Sequence, residues 1–189
     1  MNLTFVVLLF TSATMLATGT WRADQGDVRV KCPMTVGGSF DVKTQALSGS
    51  LTASASGSPA FDGSVTVDLR TLDTGIGLCN EHLRETYLEV DKGPGYDAAT
   101  MSKIELKSMD PAAPGGKGSF TGSLTLHGVT KTVVGAVDVQ QASAGLRVTG
   151  SFPLRLSDYG IRPPRYLGIG VKDTVQVEVV FAVTHGDER

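Results

Sequence analysis

Phe120-Thr121-Gly122-Ser123-Leu124-Thr125-Leu126, then His127-Gly128, then Val129-Thr130-Lys131-Thr132-Val133-Val134-Gly135-Ala136-Val137-Asp138-Val139, is the stretch on which the fold turns. Phe120, Leu124 and Leu126 share a face opposite Thr121, Ser123 and Thr125, and Val133, Val137 and Val139 follow at the same parity. An apolar side chain at every second position marks a strand with one buried face, because successive strand side chains point to opposite sides. The interval around His127-Gly128 is so short that the two runs must pair as an antiparallel hairpin, with Gly128 taking a turn conformation other residues resist.

The same alternation extends in both directions. Upstream, Val65, Val67 and Leu69 alternate with Thr66, Asp68 and Arg70, and Ile104 and Leu106 alternate with Lys103, Glu105 and Lys107. Downstream, Leu146, Val148, Phe152, Leu154 and Leu156 oppose Arg147, Thr149 and Arg155, and Val175, Val177, Val179, Phe181 and Val183 oppose Gln176 and Glu178. Runs from Phe40 to Leu51 and around Val28 and Val30 bring the count to about eight. Ala142 to Gly145 forms a second tight turn. Helical spacing is confined to Asn80–Val90, where Leu83, Tyr87 and Val90 fall at i, i+4 and i+7 and Asn80 is placed to cap the first turn. Lys92-Gly93-Pro94-Gly95 ends it.

These elements predict an all-β chain with one short helix. Sequential antiparallel strands close into an up-and-down barrel or stack as a two-sheet sandwich, and periodicity does not separate the two. Gly122, Gly135 and Gly150 sit at the parity of the apolar face, where they leave room inside and favour a barrel with a cavity.

Composition narrows the function. With 41% hydrophobic and 19% charged residues the chain is too apolar to be disordered. Its 17 Lys+Arg against 19 Asp+Glu give a net charge of -2 without a basic run, so nucleic acid is a poor partner. Two cysteines, Cys32 and Cys79, are too few for a disulfide scaffold and lack zinc-site spacing. No G-x-S-x-G elbow, H-E-x-x-H helix or Gly-rich phosphate loop is present. His82, near Glu81 and Asp73 in sequence, is the one candidate for a base. A helix-end histidine more often hydrogen-bonds loop backbone, and neither an enzyme nor a metal or other cofactor is expected.

Met1 to Thr20 contains no charged side chain, and its apolar run from Leu3 to Phe10 gives way to small residues. That run matches the hydrophobic region of a secretory signal and is shorter than a membrane span, although only the α-amino group supplies the usual positive charge. Residues 1–20 are therefore expected to be a cleaved signal, leaving 21–189 as one domain in the periplasm or outside the cell. A twofold homodimer is the base expectation for such a domain.

Several segments resemble the YceI-like polyisoprenoid-binding family of secreted bacterial proteins. They are Trp21 with Asp24, Gly38-Ser39-Phe40, Thr71-Leu72-Asp73-Thr74-Gly75 leading to Glu81-His82-Leu83-Arg84, the stretch from Leu124 to Lys131, and Leu156-Ser157-Asp158-Tyr159-Gly160-Ile161. The resemblance implies an eight-stranded antiparallel lipocalin-like β-barrel, a short helix near one end, and a long pore that takes an isoprenoid lipid; transient membrane contact for lipid exchange is a further expectation for such a carrier. Cys79 stands where the family usually carries a basic residue, and Cys32 also replaces a polar one. Their coincidence suggests proximity, which leaves open either a Cys32–Cys79 disulfide or two separate, partly buried thiols.

A prenyl chain offers nothing to hydrogen-bond, so its site needs length, dryness and few buried polar atoms. The expected lining is Val67, Leu69, Ile104, Leu106, Leu124, Leu126, Phe152, Leu154, Val177, Val179 and Phe181, with Leu83 and Tyr87 from the helix and Tyr159 near a mouth. Other occupants with the same physics are a prenylated quinone, a fatty acid or a fatty amide. A lipid-acting enzyme using His82 is the rival of a different class.

Overall fold

Each alternating run forms a strand, and each strand pairs with the next. The structure, a computed structural model, describes residues 19–54, 60–108, 115–166 and 169–186. Strand β1 runs in two segments, Thr20–Ala23 and Gly26–Pro33, and β2 in two more, Ser39–Thr44 and Leu47–Ala53. There follow β3 (Ala60–Asp68), β4 (Ala98–Lys107), β5 (Gly116–Leu126), β6 (Val129–Ala142), β7 (Gly145–Arg155) and β8 (Thr174–His185). Neighbours pair antiparallel in sequence order. β8 returns to both segments of β1, through Val177↔Val30 and Trp21↔His185. The result is a closed eight-stranded barrel, and closure leaves no long open edge. The expected signal, residues 1–20, lies almost wholly outside the described residues.

Local chemistry sets the bends. β1 and β2 break side by side, and Gln45 at the β2 break donates from Nε2 to Asp27 Oδ1 at 2.8 Å. Register shifts between Phe61 and Ser64 and between Ser102 and Glu105 put irregularities on adjacent strands, each carrying a positive φ, at Gly63 and Lys103. Such bulges increase local twist and curve the sheet.

The β5–β6 hairpin has a two-residue loop, His127 at φ 52° and Gly128 at φ 74°, the pattern of a type I′ turn. His127 also fastens this end of the barrel. Its Nδ1 donates to the Tyr159 carbonyl at 3.0 Å, its Nε2 lies 3.0 Å from Glu89 Oε2, and Tyr96 meets its ring edge-on. Glu89 is further paired with Lys92 at 2.8 Å. Three segments distant in sequence thus meet on one imidazole.

The helical element differs from its sequence reading. Helix α1 spans Gly77–His82 and continues as a π turn over Leu83–Tyr87 and a 3-10 turn over Val90–Lys92. Asn80 is inside α1 and does not cap it. Its Oδ1 accepts from the Thr74 backbone N–H and hydroxyl, both at 2.7 Å, and its Nδ2 donates to Asp73 Oδ1 at 2.7 Å. The preceding loop competes for the amide and wins. Asp73 also accepts from the Gly75 N–H, and these hydrogen bonds hold its carboxyl below its usual range. Backbone hydrogen bonds between Lys43 and Asp73 in both directions then tie the loop to β2.

His127→Ala removes the contacts to Tyr159, Glu89 and Tyr96 while Gly128 keeps the turn. It should destabilise the fold by about 1–3 kcal/mol, read as a lower urea midpoint with unchanged slope. An unchanged midpoint contradicts the fastening role.

Candidate functional site

The inward faces of the eight strands do not meet. They enclose a cavity of about 930 Å³, near the top of the roughly 300–1,000 Å³ range of small-molecule sites. At one end the wall includes Trp21, Gln141 and His185; at the other it includes Phe40, Ile76, Cys79, His82 and Ile169. Between them lie Val, Leu, Phe and Ile side chains. The wall follows β8 from Val175 to His185, ten steps of about 3.3 Å, or about 25 Å along the axis at a strand tilt near 40°. The cavity is a bore from end to end.

Of the side chains expected on the wall, Val67, Leu69, Leu83, Tyr87, Ile104, Leu106, Leu124, Leu126, Phe152, Leu154, Val177, Val179 and Phe181 are all there. Tyr159 is not. It is 2% exposed and belongs to the surrounding core, where its hydroxyl is buried without a hydrogen-bond partner. Burial raises the pKa of that hydroxyl, with Asp158 adding to the effect.

The three inward glycines are not equivalent. A side chain at Gly122 would strike Met101, and one at Gly135 would strike Phe120 and the Ser151 carbonyl, so their space is already used. Gly150 alone borders the bore, and its nearest neighbour to an added Cβ is the Phe120 ring at 3.9 Å.

Met101 is a wall residue that parity missed. It pairs with Leu124 on one side of the β4 irregularity, while Ile104 and Leu106 lie on the other, so the inward parity changes at Lys103. Trp21, Phe40, Phe61 and Phe120 also line the bore. Phe120 was legible as a buried strand residue; Phe40 and Ile76 lay at segment ends where periodicity gives no facing.

His82 sits exposed at the helical mouth. Among the described residues no hydrogen bond joins it to a carboxylate, and Asp73 is turned to Asn80 and Gly75. Nor do the described residues contain three His, Cys, Asp or Glu grouped to hold a metal ion. The chemistry this arrangement offers is the enclosure of hydrocarbon.

The profile of the YceI-like domain matches residues 21–183. The chain belongs to the YceI-like domain family. It is 34% identical over 105 residues to the UPF0312 protein of Pseudomonas aeruginosa (strain LESB58), covering 52% of this chain and 51% of that protein. A UPF0312 protein of Pseudomonas paraeruginosa is 36% identical over the same length and coverage. The alignment thus spans about half the length of these relatives. Among solved structures, a polyisoprenoid binding domain from Saccharophagus degradans matches with TM-score 0.64 and 19% identity, over 88% of this chain and 98% of that one. Burkholderia cenocepacia BcnA matches with TM-score 0.65 and 21% identity, over 83% and 96%. At these identities the likeness establishes the fold.

Both cysteines of this YceI-like barrel border the bore, and each is a free thiol in the structure. Cys32 is buried in β1 with its thiol directed to the Val30 carbonyl at 3.7 Å, whereas Cys79 is exposed on α1. Burial, with a smaller contribution from Asp41, pushes the Cys32 thiol up to about 11. The thiolate is the reactive form. Iodoacetamide at neutral pH should therefore label Cys79 first and leave Cys32 unmodified until the protein unfolds, as read by peptide mass spectrometry. Equal labelling rates, or a linked Cys32–Cys79 peptide before reduction, contradict this arrangement.

Proposed function

We propose that this YceI-like protein binds and carries a long-chain polyisoprenoid lipid, or a quinone bearing such a tail, without covalent chemistry. The observation that carries the reading is the distribution of polarity along the bore. Polar wall residues, among them Gln141, His185, Thr74, His82 and Arg165, lie at its two ends, and the middle is apolar. A buried polar group without a partner costs free energy, so a polar solute would be poorly served in that middle. A branched hydrocarbon has no such groups, and each buried methylene contributes about 0.8 kcal/mol before ordering costs. Affinity then follows from length, with the head group left at a mouth.

The fold match to a domain described as polyisoprenoid binding supports the class of ligand. The family is one of binding domains, which supports carriage over catalysis, and the leader-like residues 1–20 support a site of action in the periplasm or outside the cell.

Protein exported from its host and purified without added lipid should yield, on organic extraction and mass spectrometry, about one prenyl lipid or prenylated quinone per chain. A fatty acid, a fatty amide or an empty bore overturns the assignment. Gly150→Phe projects a ring into the bore from a site with space for its Cβ. It should lower bound lipid severalfold with an unchanged far-UV β spectrum, and undiminished lipid in the folded variant contradicts the bore as the binding site.

A further inference from the structure

Six large apolar side chains are exposed among the described residues: Val36, Phe40, Ile76, Leu78, Val134 and Ile169. Five of them belong to segments around the helical mouth. Val36 caps the β1–β2 hairpin and Phe40 begins its return strand. Ile76 and Leu78 open α1, and Ile169 stands on a short ribbon formed by Arg165–Tyr166 and Ile169–Gly170. The ribbon is fastened to the hairpin, since the Thr35 N–H donates to the Gly170 carbonyl at 2.8 Å and the Gly170 N–H donates to Thr35 Oγ1 at 3.1 Å. Phe40, Ile76 and Ile169 are also wall residues of the bore. The exposed apolar surface therefore joins the interior at these three side chains. A cluster of this kind marks an interaction site, whereas Val134, alone on β6, is ordinary.

Charge on the ribbon side of the rim points to what it fits, while the exposed carboxylates of Glu81 and Glu85 lie on the helical segment. From Arg162 to Lys172 the sequence holds three cations, Arg162, Arg165 and Lys172, and no carboxylate. All three are exposed, and none forms an ion pair among the described residues. Among the described residues, the exposed rim at the opposite end has no comparable group of large apolar side chains. We infer that the helical mouth docks on the surface of an anionic lipid bilayer, with Val36, Leu78 and Ile169 entering the acyl boundary and Arg162, Arg165 and Lys172 meeting the head groups. Amphipathic elements bind bilayers by this combination of buried apolar area and attraction to anionic lipid. The inference rests on the carrier reading for its purpose: a hydrocarbon chain passing from bilayer to bore along Phe40, Ile76 and Ile169 never crosses water.

Val36 and Leu78 are exposed and do not line the bore, so Val36→Asp with Leu78→Asp tests docking without altering the site. The protein is floated with vesicles of phosphatidylethanolamine and phosphatidylglycerol, with Val134→Asp as the control and circular dichroism confirming each fold. The wild type and the control should float, and the double variant should bind at least about tenfold more weakly. Arg162→Glu with Lys172→Glu should weaken binding to these vesicles and leave any binding to phosphatidylcholine vesicles little changed. Equal flotation of the wild type and the double variant overturns the inference, as does a wild type that stays off the vesicles. A dimer that Val36→Asp with Leu78→Asp dissociates, with no vesicle binding, assigns the rim to a second copy instead. Organic extracts of each variant are compared in parallel. Lipid-filled protein that does not dock removes only the docking inference, whereas docking protein with an empty bore removes the carrier reading.

Discussion

The return of β8 to both segments of β1 is the constraint on which the rest depends. Once Val177 pairs with Val30 and Trp21 with His185, the sheet closes on itself with no long open edge and its apolar face has nowhere to go but inward. A closed barrel of eight strands has a fixed girth, and side chains of ordinary size either fill it or leave a narrow lumen. Here they leave a lumen, because the wall is built largely from Val and Leu, with Gly150 placed where a larger side chain would intrude. The buried side chains around it still form a continuous hydrophobic core at the helical end, including Leu69, Phe120, Leu154 and Val175. Stability and cavity are thus drawn from the same residues.

The ends of the barrel are built differently. At the helical end, His127 gathers Glu89 and Tyr159, and Asn80 gathers Asp73 and Thr74, so irregular segments are fixed by side-chain hydrogen bonds together with the backbone bridge between Asp73 and Lys43. These contacts hold the loops around the mouth while leaving Ile76 and Leu78 exposed. At the other end, Trp21 meets His185 edge-on at 4.7 Å between ring centroids, beside Gln141. Among the described residues, exposed large apolar side chains gather at the helical end while Trp21, Gln141 and His185 border the other, so the two ends of the bore differ.

Strand number, hairpin order and most of the wall were legible in the sequence, since period-two alternation reports facing directly. The wall residues read from β5, β7 and β8 needed nothing more. What escaped was whatever a local rule does not control. The irregularity at Lys103 reverses the inward parity between Met101 and Ile104. Asn80 has the composition of a cap yet is claimed by Thr74 and Asp73, a contact across six and seven residues that spacing does not announce. Tyr159 looked like a mouth residue and lies in the core behind the wall. The glycines at 122 and 135 were legible as inward, but whether the space was free depended on Met101 and Phe120, on the adjacent strands. Cys32 and Cys79 share the bore and differ in exposure, so nearness to one cavity did not become a bond.

The central claim is that this bore holds a hydrocarbon chain along its length. A crystal structure of the exported protein, purified with no lipid added, tests it most directly. The account predicts continuous tubular density, methyl-branched along its length, from the Ile76 mouth past Gly150 and Phe152 towards Trp21, in van der Waals contact with the Val and Leu wall and free of ordered water. A chain of hydrogen-bonded waters in the bore, or a core closed by inward movement of Met101, Phe120 and Phe152, would contradict it.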